Sequence, residues 1–453
     1  MAPKLFQRVV YVLLGSGLIF LLAACQPSIP PTTGNGTPTS TTTSSTPGPT
    51  STASGATTPV PTTTTSCPPA GTARAAVMAT LALGHHPNIV YIVNQGTSDA
   101  PGLGTLKRFD ATTGLKTEII NLSSTYISEA QLSADGQWLL FVAISSGQAK
   151  LQMIRMDGQG LQTLYCASPE GGASLASALT HVQWSTNQRL IIFSHFNGSR
   201  SQIYLLNATG GSIQLELSVS GGVTYEPVTW LDTTRVYLSR QLPDGPADSL
   251  YLLDTSRGAP QPESNLTLVY RDTITGNFQA CWSADSSFDG STAFISTCSE
   301  PGNTSHPGTS AQEGPSFILT QPAIGGTAHR IYSNNAAAIT AVRAITRTTL
   351  LFTADTQAFD SSVHVDQSQN GLWKASITGS GATRLTTTTG TLNSFTQYPW
   401  SNVSRDGSLY TLQSYIPSTN TYTMSYGSLS GGTPTTFASI AGTQLATVGW
   451  TTM

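Results

Sequence analysis

Charge is what this chain has least of. Only 9% of its residues are Asp, Glu, Lys or Arg, where soluble domains ordinarily carry about 25%. The strong helix formers Lys and Glu are scarce while Gly, Ser and Thr abound, which favours strands and turns. A formal charge of −3 leaves no basic footprint for nucleic acid. No G-x-S-x-G pentad occurs, which counts against an α/β-hydrolase, and no strand–helix alternation follows the last repeat to supply an appended catalytic half. Phosphate loops, H-E-x-x-H pairs and EF-hand spacings are absent, so neither a cofactor nor a metal is expected. The seven histidines are scattered, and His85-His86 reads as a solvated pair before a strand.

What the chain does have begins with a targeting segment. Lys4 and Arg8 form a basic n-region and residues 9–22 a mostly apolar h-region. The segment closes on Leu22-Ala23-Ala24-Cys25, which resembles the lipobox of bacterial lipoproteins. The resemblance implies acylation of Cys25, removal of residues 1–24, and attachment to a bilayer at the extracytoplasmic side of the cell envelope. At ~0.8 kcal/mol per buried CH₂, two or three acyl chains hold a protein stably on a membrane. Residues 25–72 are then a lipidated Cys and a linker built of Thr, Ser, Pro and Gly, a composition that cannot bury a core and reads as a disordered stalk. Four cysteines remain, Cys67, Cys166, Cys281 and Cys298, an even number that suggests bridges in an exported chain. Cys281 and Cys298 flank one hairpin and are expected to pair, leaving Cys67 for Cys166.

From residue 73 to 453 a sheet unit repeats. Its clearest copy is QLSADGQWLLFVA, residues 131–143, followed by LQMIRMDGQG, residues 151–160: strand, Asp-Gly turn, strand, strand, Asp-Gly turn. The second strand recurs seven times, as IVYIV, WLLFVA, LIIFSH, VYLSR, TAFIST, TLLFTA and LYTLQS. Successive copies lie roughly 45–60 residues apart, the span of one four-stranded propeller blade with its loops. The expected fold is all-β, a seven-bladed β-propeller, with six and eight blades as alternatives. ATVGW, residues 446–450, has the first-strand pattern with no second strand after it, so it should close the ring as the inner strand of the first blade. A monomer is expected.

The Ser-x-Asp-Gly turn before an apolar strand, intact at Ser133-Ala134-Asp135-Gly136 and Ser404-Arg405-Asp406-Gly407, resembles the TolB-type, WD40-like propeller repeat of bacterial exported proteins. The resemblance covers residues 71–453 at repeat level. It implies a rigid ring used mostly to bind proteins or glycans, and it carries no residue set across.

Several residues invite a chemical reading. Trp184, Trp230, Trp282 and Trp450 share a first-strand register and read as packing between blades rather than a sugar-stacking ring. Asp285 and Asp289 read as parts of a hairpin turn rather than paired catalytic acids. The connections between second and third strands lengthen in the fourth, fifth and sixth blades, and long loops on a rigid scaffold are where function concentrates. Those neighbouring insertions should form one raised rim with Asp244, His306, Glu313, Phe359, Asp360, His364 and Asp366 as its contact residues. The leading reading is a membrane-anchored binding scaffold for a protein or glycan. The alternative is a propeller enzyme acting on extracellular glycans, which needs an acid pair, or His and an acid, converging at the channel.

Overall fold

In the computed structural model, residues 60–168, 176, 178–197, 199–242, 247–271, 282–297, 311–358, 363–393 and 399–453 are described. They build an all-β, seven-bladed propeller. Six of the seven blade sheets have four antiparallel strands in meander order, and the seventh shows three strands. Blade two is Tyr126–Leu132, Trp138–Ser145, Gln148–Arg155 and Gln162–Ala167 from axis to rim. Blade seven comprises Leu409–Ile416, Thr421–Ser428 and Thr435–Ala441, its inner position marked by the single bridges Thr391–Gln413 and Val403–Tyr410.

The burial of each strand follows its distance from the axis. A second strand lies between two neighbouring blades and is covered on both faces, which is why Trp138–Ser145 is apolar and buried over all but its last residue. An outer strand such as Lys116–Ser123 meets solvent: Ile119 alone is buried, and the rest is exposed or half-buried. The apolar side chains separate into seven clusters, each shared by two consecutive blades. The last of these joins blade seven to blade one through Tyr91, Phe109, Met424, Phe437 and Trp450, so the ring is closed.

Closure is made by Gln444–Thr452, which pairs antiparallel with Pro87–Gly96 as the inner strand of blade one. The repeat turn explains itself locally. Ser133 Oγ accepts the Gln137 and Trp138 N–H groups, Asp135 accepts Gln137 N–H, and Gly136 takes φ +74°. The same geometry recurs at Ser404, Asp406 and Gly407, at Ser287, Asp289 and Gly290, and at Ser185 and Asn187 with Gln188 at φ +60°. That fourth copy lacks the Asp-Gly pair, so it carries no sequence signature.

Three local expectations need adjusting. Trp184, Trp230 and Trp450 are fully or nearly fully buried at the ends of inner strands. Trp282 is not their equivalent: the Ser287 turn sets the register of blade five, which places Trp282 at the start of its strand, half-buried, with its indole N–H donated to Ala247 O at 2.8 Å. Asp289 belongs to the turn, whereas Asp285 sits inside the inner strand Trp282–Ser286. Finally, the compact unit starts at Val60 rather than at 73. Thr64 bridges Gln162 in parallel, and Cys67 is joined to Cys166. Arg74 donates to Thr163 O at 2.7 Å, so this lead-in covers the outer edge of blade two. Cys25, Cys281 and Cys298 lie outside the described residues.

Candidate functional site

Inner strands crowd at the axis and must bend. Register shifts mark bulges between Ile127 and Glu129, Thr180 and Gln183, Pro227 and Thr229, and Ile339 and Ala341. An extra residue in one strand increases its local twist and re-aims its side chains. His181 is the extreme case, a non-glycine residue at φ +54°.

The inner edges of these strands would leave N–H groups unpaired, and side chains of the preceding blade take them up. Glu129 Oε2 accepts the Val182 N–H at 3.2 Å and Gln131 Oε1 the Trp184 N–H at 2.7 Å. Three blades on, Ser283 Oγ accepts the Val342 N–H at 3.0 Å and Asp285 Oδ2 the Ala344 N–H at 2.8 Å. The two pairs share one register. They form the same clasp between consecutive blades, made with different residue types.

Between the inner strands lies a cavity of about 440 Å³. Blade two contributes Ser128 and Glu129, blade five Trp282 and Ser283, blade six Thr340 and Arg343, blade seven Thr391, Asn393 and Gln413, and blade one Thr447. Ser128, Trp282, Thr340 and Thr447 occupy the first halves of their strands, the end of the ring where the loops between second and third strands emerge. Burial pushes the Glu129 carboxyl up to about 8 against the pull of the Val182 and His181 N–H groups, and the charge of Glu226 adds to the rise. The shift favours the neutral acid form of Glu129. Burial likewise raises Asp285 to about 6, opposed by the positive charge of Arg343. Beside Glu129, His181 Nε2 lies 3.4 Å from a Glu226 carboxylate oxygen, and Gln241 donates to that carboxylate. Among the described residues no group of three His, Cys, Asp or Glu is gathered to hold a metal ion.

No family model matches the chain, and no curated protein matches it. Solved structures do. TolB of Acinetobacter baumannii is 13% identical with a TM-score of 0.39, covering 64% of this chain, which spans only 61% of that protein. A putative TolB of Agrobacterium tumefaciens is 15% identical, covering 80% of this chain and 92% of that one, with a TM-score of 0.38. The periplasmic gluconolactonase of Pseudomonas aeruginosa is 12% identical over 80% of this chain and 99% of that one, with a TM-score of 0.48.

The rim residues read from the sequence divide. Asp244, His306, Phe359 and Asp360 lie outside the described residues. Glu313 is half-buried, while His364 and Asp366 are exposed, and Asp366 is held below the usual carboxylate range by hydrogen bonds from Ser368. The insertions of blades five and six do meet: Ala311–Gln312 pairs antiparallel with Gln357–Ala358 in a separate two-stranded ribbon. Sequence reasoning missed Glu129, His181, Glu226 and Arg343. The available signal was an ionisable residue inside strands as apolar as TYISEAQL and ITAVRA, where a charge is expensive.

Proposed function

We propose that the chain is a lipid-anchored, extracytoplasmic binding scaffold whose loop-bearing face takes a protein or glycan partner. The observation that carries this reading is the ribbon between the Ala311–Gln312 and Gln357–Ala358 segments, which joins insertions of two neighbouring blades. Scattered loops would have no reason to pair, and pairing fixes a surface before a partner arrives, which lowers the ordering cost of binding. The lead-in starts at the other face and reaches this one only at the outer edge of blade two, where Cys67 Sγ lies 3.3 Å from Gln148 Oε1. Val60 enters beside Gly160, at the opposite end of blade two, where Pro61 packs on that glycine. Export is supported by the lipobox-like Leu22-Ala23-Ala24-Cys25 and by the Cys67–Cys166 bridge, which persists in oxidising compartments.

Deleting residues 299–314 removes one half of the ribbon. Binding to a glycan array and to solubilised envelope proteins is expected to be lost, with the thermal midpoint nearly unchanged. Binding that survives this deletion and a matching one at 360–370 places the surface elsewhere.

One observation favours the enzyme reading, the approach of His181 to Glu226 beside Glu129, whose neutral acid form is favoured. Against it stands the engagement of Glu129 with the Val182 N–H, a structural task that Ser283 performs in blade five. Reducing-sugar release from a polysaccharide panel, abolished in Glu226→Gln, would move the assignment to a glycan-cleaving enzyme.

A further inference from the structure

Arg343 is a buried cation that interacts with the Asp285 charge but, among the described residues, contacts no counter-ion. It is 5% exposed, and no carboxylate among the described residues forms an ion pair with it. Its Nη1 donates to Val342 O at 2.6 Å and to Ser283 Oγ at 3.3 Å, and its Nε donates to Asn393 O at 3.3 Å. These bonds fix the plane of the guanidinium. Nη2 has no hydrogen-bond partner among the described residues, and the side chain lines the central cavity. Asp285, the carboxylate whose charge acts on Arg343, accepts the Ala344 N–H instead. Buried charges are ordinarily paired, because an isolated one forfeits several kcal/mol of hydration. A guanidinium locked in place with one free edge is the arrangement that receives an anion.

The rest of the wall says what kind of anion. Thr447 brings a hydroxyl with no hydrogen-bond partner among the described residues. The hydroxyls of Thr340, Thr391 and Thr411 already donate or share a bond within the fold and keep acceptor capacity, as the Asn393 and Gln413 amides are already engaged on one side. Trp282 adds one aromatic face. The volume, about 440 Å³, falls within the 300–1,000 Å³ range of small-ligand sites. We infer that the central cavity binds a small hydroxylated carboxylate, its carboxylate on Arg343 and its hydroxyls on the threonine and amide wall. The cavity lies on the axis at the same end of the ring as the loops between second and third strands, and deletion of the ribbon leaves its lining residues in place.

Glucuronate and glucose are a matched pair of probes, of the same ring size and differing by the carboxylate. Calorimetric titration of the full-length protein should show glucuronate binding at least about tenfold more tightly than glucose, the ratio of one charge-assisted contact. Arg343→Gln should erase that preference while any residual affinity for the neutral sugar stays. Equal affinities in the wild type, or no binding of either, overturn the proposal. Because Arg343→Gln also removes a bond to Ser283, folding of the variant is checked by its thermal midpoint. A second measurement needs no variant: crystals of the wild-type protein soaked in bromide should show an anomalous peak against Arg343 Nη2. A cavity without that peak overturns the anion site regardless of how the variant folds.

Discussion

Replacing Glu129 by Gln isolates the energetic cost of an acid placed between blades two and three. Gln retains an oxygen to accept the Val182 N–H, so the clasp is kept and only the titration is lost. In the wild type, folding raises this carboxyl from its ordinary 4.5 to about 8. A group whose folded value lies above its unfolded value contributes stability that is full below the unfolded value and lost as pH climbs through the folded one. The relevant window is thus pH 4.5 to 8. At 1.36 kcal/mol per pH unit, the wild type should lose about 5 kcal/mol across it through this group. With an unfolding entropy near 2.1 cal/mol/K per residue, that moves the midpoint of a body this long by roughly 6 °C. Thermal melts of wild type and Glu129→Gln from pH 5 to 9 should coincide near pH 5 and diverge upward, the variant being the more stable at pH 8. Asp285, raised to about 6, adds a smaller slope that both proteins share. Parallel curves over the whole range would refute the reasoning, since Glu129 would then be an ionised anchor whose charge is fully met inside the fold.

Asp285→Ala leaves the buried Ala344 N–H without its acceptor and should cost about 1–3 kcal/mol in chemical denaturation, while Asp285→Asn should cost less. Trp450→Ala empties a fully buried site in the cluster that closes the ring, so a loss of about 3–5 kcal/mol is expected. Cys166→Ser frees the lead-in from blade two, and limited proteolysis followed by mass measurement should show cleavage within residues 60–76 before any cut in the ring. Cys25→Ser should leave the protein unprocessed or in the soluble fraction, and a variant still acylated and membrane-bound would end the lipobox reading.

The repeat was legible because it is written in local terms. Seven apolar second strands, turn residues at fixed offsets and the orphan ATVGW segment each follow from covering both faces of a strand or reversing a chain. Those requirements act within a few residues, and together they specify blade, ring and closure. Even there, the Ser287 turn sets the register of blade five so that Asp285 lies in the strand rather than the turn and Trp282 sits at the strand start, although Trp282 still packs against the cluster between blades four and five. What the axis holds was decided only by the tertiary structure. Glu129 and Ser283 share a register but no chemistry, and each is defined by an N–H group on the next blade, 53 and 59 residues further along the chain. The charge of Arg343, which no carboxylate contacts among the described residues, and the cavity it faces exist only because strands of five blades converge on one axis. Periodicity along the chain reports which residues are buried; it does not report which buried polar groups face one another across the ring, because that depends on bulge, register and blade number together.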